Sequence, residues 1–93
     1  MIIKADLETC EKMRPEIEPG DKLIIDKGAP LDEKNIFLVT LENVPMFARL
    51  RQTTSGGMWL RFANAISDAL FIAPEDITDL HIMGRVIEKR RSF

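Results

Sequence analysis

Ninety-three residues make one domain, 1–93, short enough that a single sheet-based core with few loops is the natural solution. An apolar fraction of 45%, a charged fraction of 30% and a net charge of −2 are ordinary for a globular protein and exclude a general electrostatic pull toward nucleic acid or membrane. The lone cysteine excludes an intramolecular disulfide, and the opening Met1-Ile2-Ile3-Lys4-Ala5-Asp6 has no signal-peptide core, so a soluble protein of the reducing cytoplasm is expected.

In chain order, residues 6–13 suggest the only helical turn. Glu18-Pro19-Gly20-Asp21 places Pro and Gly at the central positions of a type II turn, because Pro presets its φ and Gly accepts a positive one. Lys22-Leu23-Ile24-Ile25-Asp26 then reads as a short apolar strand. Residues 35–41, rich in β-branched and aromatic side chains, predict a buried strand that Glu42-Asn43 reverses into 44–51. In that strand Val44, Met46, Ala48 and Leu50 share one face and Arg49 and Arg51 the other, with Pro45 near its beginning or on an edge. A polar turn at 52–57 leads to a strand at 58–62, where Met58, Leu60 and Phe62 alternate inward. Residues 64–74 look like loop, with Leu70-Phe71-Ile72 able to add a short strand. Residues 80–90 form a long last strand with a bulge or bend at Gly84. Short strands separated by turn signals indicate an all-β fold, an irregular sandwich or barrel of antiparallel strands.

Five pieces of the sequence occur in an order that resembles the C-terminal domains of LexA-type repressors, UmuD-type proteins and phage repressors. They are Met13-Arg14-Pro15, then Gly20-Asp21 running into the strand that ends at Asp26, then Phe47-Ala48-Arg49-Leu50, then Phe62-Ala63-Asn64, and finally Gly84-Arg85-Val86. The resemblance covers nearly the whole chain and implies a LexA-like β domain that cleaves itself with a serine nucleophile and a lysine base. It also implies dimerisation through C-terminal strands, here Val86, Ile87, Glu88, Lys89 and Arg90. The last strand is expected to expose an edge, which a second copy would satisfy symmetrically.

The departures fall on the chemistry. A hydroxyl attacks only after a neutral base takes its proton, and the fold must desolvate a lysine to make it such a base. The register of the resemblance places Lys12 where the serine would stand and Ala48 where the lysine would stand. A methyl accepts no proton, so the resemblance implies a degenerate, inactive peptidase site. No Ala-Gly or Cys-Gly cleavage pair precedes Lys12, and no DNA-binding domain is recognised in the chain. The expected function is a non-catalytic regulatory and dimerisation domain of a phage-type repressor that reaches DNA only through a separate domain.

Two other readings stay open. Cys10 lies beside the old nucleophile position and offers a replacement thiol for a peptidase-like enzyme, although buried cysteine more often serves as a small hydrophobe. Gly-Asp followed by an apolar strand also occurs in AbrB-like proteins, which leaves a DNA-contacting module as the third reading. The sole histidine, His81, has no partners at metal-ligand spacing, and Glu75-Asp76 reads as solvated loop. No metal, cofactor or small-molecule substrate is indicated. Lys12 needs a counter-group, for which Glu11 and Glu42 qualify by charge. Trp59 is either an exposed anchor or packed against a second layer, and the basic end Lys89-Arg90-Arg91 reads as a solvated strand end.

Overall fold

The computed structural model of the chain describes residues 1–64 and 69–91. Among them the strands are β1 (Ile2–Lys4), β2 (Lys22–Asp26), β3 (Ile36–Leu41), β4 (Val44–Gln52), β5 (Met58–Arg61), β6 (Leu70–Ile72) and β7 (Leu80–Arg90). One helical turn, α1 (Leu7–Cys10), runs into a 3-10 turn at Glu11–Met13, and a second 3-10 turn occupies Pro74–Asp79. Residues 65–68, inside the segment expected to be loop, lie outside the described residues. No helix among the described residues is long and apolar enough to cross a membrane.

The fold is all-β, and every neighbouring pair of strands is antiparallel. The expected sandwich or barrel needs correction. The strands form one open sheet in the order β1-β2-β7-β3-β4-β5-β6. The register of β7 slips twice, between Ile24 and Ile25 on β2 and between Leu38 and Val39 on β3. Bulges of this kind bend a strand and increase its twist. Coiling lets one sheet bury apolar clusters on both faces, which a flat sheet with so little helix cannot do.

The first cluster contains Cys10, Met13, Ile17, Leu23, Ile25, Leu38 and Phe47, with α1 and the following turn as its roof. The second contains Phe37, Val39, Ala48, Leu50, Leu60, Ile72 and Leu80. Phe47 and Ala48 are consecutive on β4, so alternation sends them to different clusters, and both are fully buried. The sequence pattern for β4 gave it a single apolar face and missed Phe47.

The local turns follow their chemistry. Gly20 has φ +93° and the Asp21 amide donates to the Glu18 carbonyl at 3.1 Å, closing the expected type II turn. Glu42 and Asn43 both have positive φ, 50° and 69°, the arrangement of a two-residue type I′ hairpin.

The last strand departs from expectation. β7 is not an edge strand; it lies between β2 and β3, pairing with β3 through its first half and β2 through its second. Eleven residues give it the length to serve both neighbours. A Cβ on Gly84 would lie 2.6 Å from Ile25 Cγ2 and 2.7 Å from the Asp26 carbonyl oxygen, so glycine lets β2 close on it.

Candidate functional site

The segment carrying Lys12 is set by a capping box. Asp6 Oδ1 accepts from the Thr9 amide at 2.8 Å, and Thr9 Oγ1 accepts from the Asp6 amide at 3.1 Å. This aims α1 so that Cys10 and Met13 sink into the first cluster and Lys12, between them, remains exposed.

Two of the motif pieces then meet. The Lys12 carbonyl accepts from the Asn64 amide at 2.9 Å, and Asn64 Nδ2 donates to the Glu11 carbonyl at 3.3 Å. The Ala63 amide donates to Met13 Sδ at 3.3 Å. Lys12 Nζ lies 4.9 Å from the centroid of the Phe62 ring, a cation–π contact. Among the described residues no ion pair to Glu11 or Glu42 is recorded for it. Glu42 sits instead in the β3–β4 turn, where its amide donates to the Asp79 carbonyl at 3.1 Å.

Ala48 has zero exposure, sealed in the second cluster, while Phe62 packs against both clusters. An open depression of about 570 Å3 lies nearby, lined by Glu11, Arg14, Pro15, Glu18, Ala63 and Asn64. Neither Lys12 nor Ala48 lines it. An exposed ammonium on an aromatic face and a buried methyl supply neither an attacking hydroxyl nor an acceptor for its proton.

Cys10 lies inside the first cluster. Its side chain is fully buried, its Sγ faces the Leu7 carbonyl at 3.9 Å, and burial pushes the thiol's pKa up. A reactive thiol needs the opposite shift and an open approach. His81 is exposed on β7 opposite Thr40. No group of three His, Cys, Asp or Glu able to hold a metal occurs among the described residues. Trp59 is 39% exposed and packs on its cross-strand neighbour Phe71, ring centroids 4.9 Å apart.

The other motif residues have structural work. Asp21 is 1% exposed, and its Oδ2 accepts from the Glu18 amide at 2.9 Å while its Oδ1 lies 3.6 Å from Arg91 Nε. Asp26 Oδ1 accepts from the Gly28 amide at 3.0 Å. Arg49 pairs with Glu16 at 2.8 Å and donates to the Lys34 carbonyl at 3.1 Å. Arg85 pairs with Asp32 at 3.3 Å. Leu50 is core, and Pro15 rims the depression.

The sequence reading missed the loop that these arginines hold. Arg61 Nη2 donates to the Glu33 carbonyl at 3.1 Å, so β4, β5 and β7 each send an arginine to residues 32–34. The signal available was Asp32 two and three residues before Lys34 and Asn35, the spacing of a carboxylate that accepts from amides downstream.

Of the residues expected at a dimer interface, Val86 is half-buried against the first cluster, whereas Ile87 is 53% exposed. Glu88 and Arg90 pair within the chain at 3.1 Å, and Lys89 Nζ donates to the Glu16 carbonyl.

Set against models of known families, residues 10–87 match the one described as Peptidase S24-like. No curated protein matches the chain at a significant level.

Proposed function

Since this chain belongs to the Peptidase S24-like family, we propose that it is a member without peptidase activity, acting as the regulatory and self-association domain of a LexA-like, phage-type repressor. The observation that carries this reading is Ala48. In the register of the LexA resemblance it takes the place of the base, and it is a methyl with zero exposure inside an apolar cluster. Lys12 takes the nucleophile's place and rests its charge on Phe62. DNA is reached through a separate domain, and the single buried thiol suits a reducing cytoplasm.

Self-association falls to the exposed part of β7. Ile82, Met83 and Ile87 are 42%, 37% and 53% exposed, and the exposed Glu88 and Arg90 follow the last of them. Under a two-fold axis Glu88 of one copy faces Arg90 of the other, which fixes register through opposite charge.

Prolonged incubation at alkaline pH, which neutralises lysine, leaves the chain intact on this reading. Cleavage that survives removal of contaminating protease by a second purification sinks the inactive assignment. Sedimentation at high micromolar concentration is expected to show a dimer that Ile87→Glu converts to monomer. A parent chain that is monomeric throughout sinks the self-association half.

A further inference from the structure

The edge of the sheet opposite β6 carries a feature that neither the peptidase resemblance nor β7 explains. Lys4 on β1 lies directly across from Lys22 on β2, and Lys22 lies directly across from Arg90 on β7. Three cations thus form a row over three neighbouring strands on one face. Like charges in direct cross-strand register destabilise a sheet. Glu88 answers Arg90 at 3.1 Å. Among the described residues no carboxylate is recorded answering Lys4 or Lys22.

The backbone pattern sharpens this. Met1 and Ile25 exchange both hydrogen bonds, at 3.1 and 2.7 Å, and the Ala5 amide donates to the Asp21 carbonyl at 2.8 Å. The alternate pairs, Ile2 with Ile24 and Lys4 with Lys22, are therefore the non-hydrogen-bonded ones, whose side chains approach most closely. By the same alternation, the amides and carbonyls of Ile2 and Lys4 point away from β2, off the sheet edge. The side chains of these two residues border a depression of about 350 Å3, with Ile24, Lys22 and Arg90 around it, and Ile2 is 68% exposed.

A lysine on an edge strand commonly discourages indiscriminate pairing. That accounts for Lys4, but Lys22 stands one strand in, where it guards no edge and only adds repulsion. Together the two make an edge that rejects neutral and basic strands and selects an acidic one. We infer that β1 is a docking edge for an extended acidic peptide segment, which adds to the sheet as a further strand. Its carboxylate lies across from Lys4 and extends the cationic row, and an apolar residue two positions away covers Ile2. Main-chain bonds to Ile2 and Lys4 hold the segment, and the charge row decides which segments are accepted. A polyanion held by charge alone needs no such edge, so a peptide is favoured over a phosphodiester.

The test uses fluorescence anisotropy with a labelled, capped seven-residue peptide that has glutamate at positions 1 and 5, valine at positions 3 and 7 and threonine between, so that valine and glutamate take turns along one face of the strand. Three controls accompany it: the same peptide with lysine for glutamate, the same peptide with alternate amides N-methylated, and an oligothymidylate of equal charge. The valine–glutamate peptide is expected to bind, and the Lys4→Glu/Lys22→Glu chain to bind it at least about tenfold more weakly. Lys4→Gln/Lys22→Gln, a milder change at exposed positions, is expected to fall between. N-methylation is expected to abolish binding, since it removes the donors that strand addition requires. The inference is overturned by absence of binding, by equal binding of the N-methylated peptide or the oligothymidylate, or by charge variants that bind like the parent.

Discussion

At Asp32 one carboxylate gathers the amides of Lys34 and Asn35 at 2.9 and 2.8 Å, Asn35 Nδ2 at 3.0 Å and Arg85 Nη1 at 3.3 Å. The Asn35 side chain and amide hold its pKa at about 2, below the ordinary 3.8, with smaller help from the Lys34 amide and Arg85. Each of these bonds favours the charged form. Because the folded pKa is depressed, the stabilisation is fully present above the unfolded value and disappears as pH falls through the folded one. Asp32→Asn keeps the shape and one acceptor oxygen but has no charge to lose. Its deficit against the parent chain in urea unfolding is therefore expected to be constant above about pH 4 and to close between about pH 4 and pH 2. A deficit unchanged down to about pH 2 contradicts the assignment of that titration to Asp32. At this scale the sequence was legible in part. The turn at Gly20 followed from residue type alone, whereas the contact of Lys12 with Phe62 depends on side chains fifty positions apart and has no local signature.

Among the elements, β2, β3, β4, β5 and β7 stand close to where periodicity and turn residues put them, because each is preceded by a Gly, Asn or Asp residue that breaks the pattern. β1 was missed: three residues carry too short a pattern to be read, and they form a strand only because β2 offers an edge. The turn at Pro74–Asp79 was missed for a related reason, its apolar Ile77 being a single residue packed on the second cluster. The role of β7 was misjudged because the expected edge came with the dimerisation that the resemblance implies, while its interior position depends on long-range pairing. Gly84 is the residue on which that pairing turns. Gly84→Ala sets a methyl against Ile25 Cγ2 at 2.6 Å and the Asp26 carbonyl oxygen at 2.7 Å, and the second contact is with backbone that cannot rotate away. The expected cost is about 1–3 kcal/mol, read as a lower urea midpoint at unchanged slope. A midpoint equal to the parent's means β2 and β7 separate freely at that point.

Across the whole molecule, one coiled sheet with an apolar cluster on each face decides what position 48 can become. Ala48 has zero exposure among Phe37, Val39, Leu50 and Leu60. A lysine there exchanges a methyl for a desolvated ammonium, and desolvation lowers its pKa beneath the reference near 10.4. Between the lowered folded value and that reference, the unfolded chain holds a proton that the native chain does not. Stability then rises with pH by roughly 1.4 kcal/mol per pH unit. Ala48→Lys is accordingly expected to be less stable than the parent at about pH 7 and to recover part of the gap by about pH 9. Urea midpoints of both chains at the two pH values measure it. A gap independent of pH shows that the new ammonium reaches water, and the claim that position 48 is sealed fails with it. A gap that narrows makes the position able to host a neutral lysine, the form in which it accepts a proton. In that case Lys12→Ser combined with Ala48→Lys tests whether the two positions share a cleft: cleavage of an added peptide by the double variant and by neither single one shows that hydroxyl and acceptor meet and act as one unit, and its absence shows that they do not.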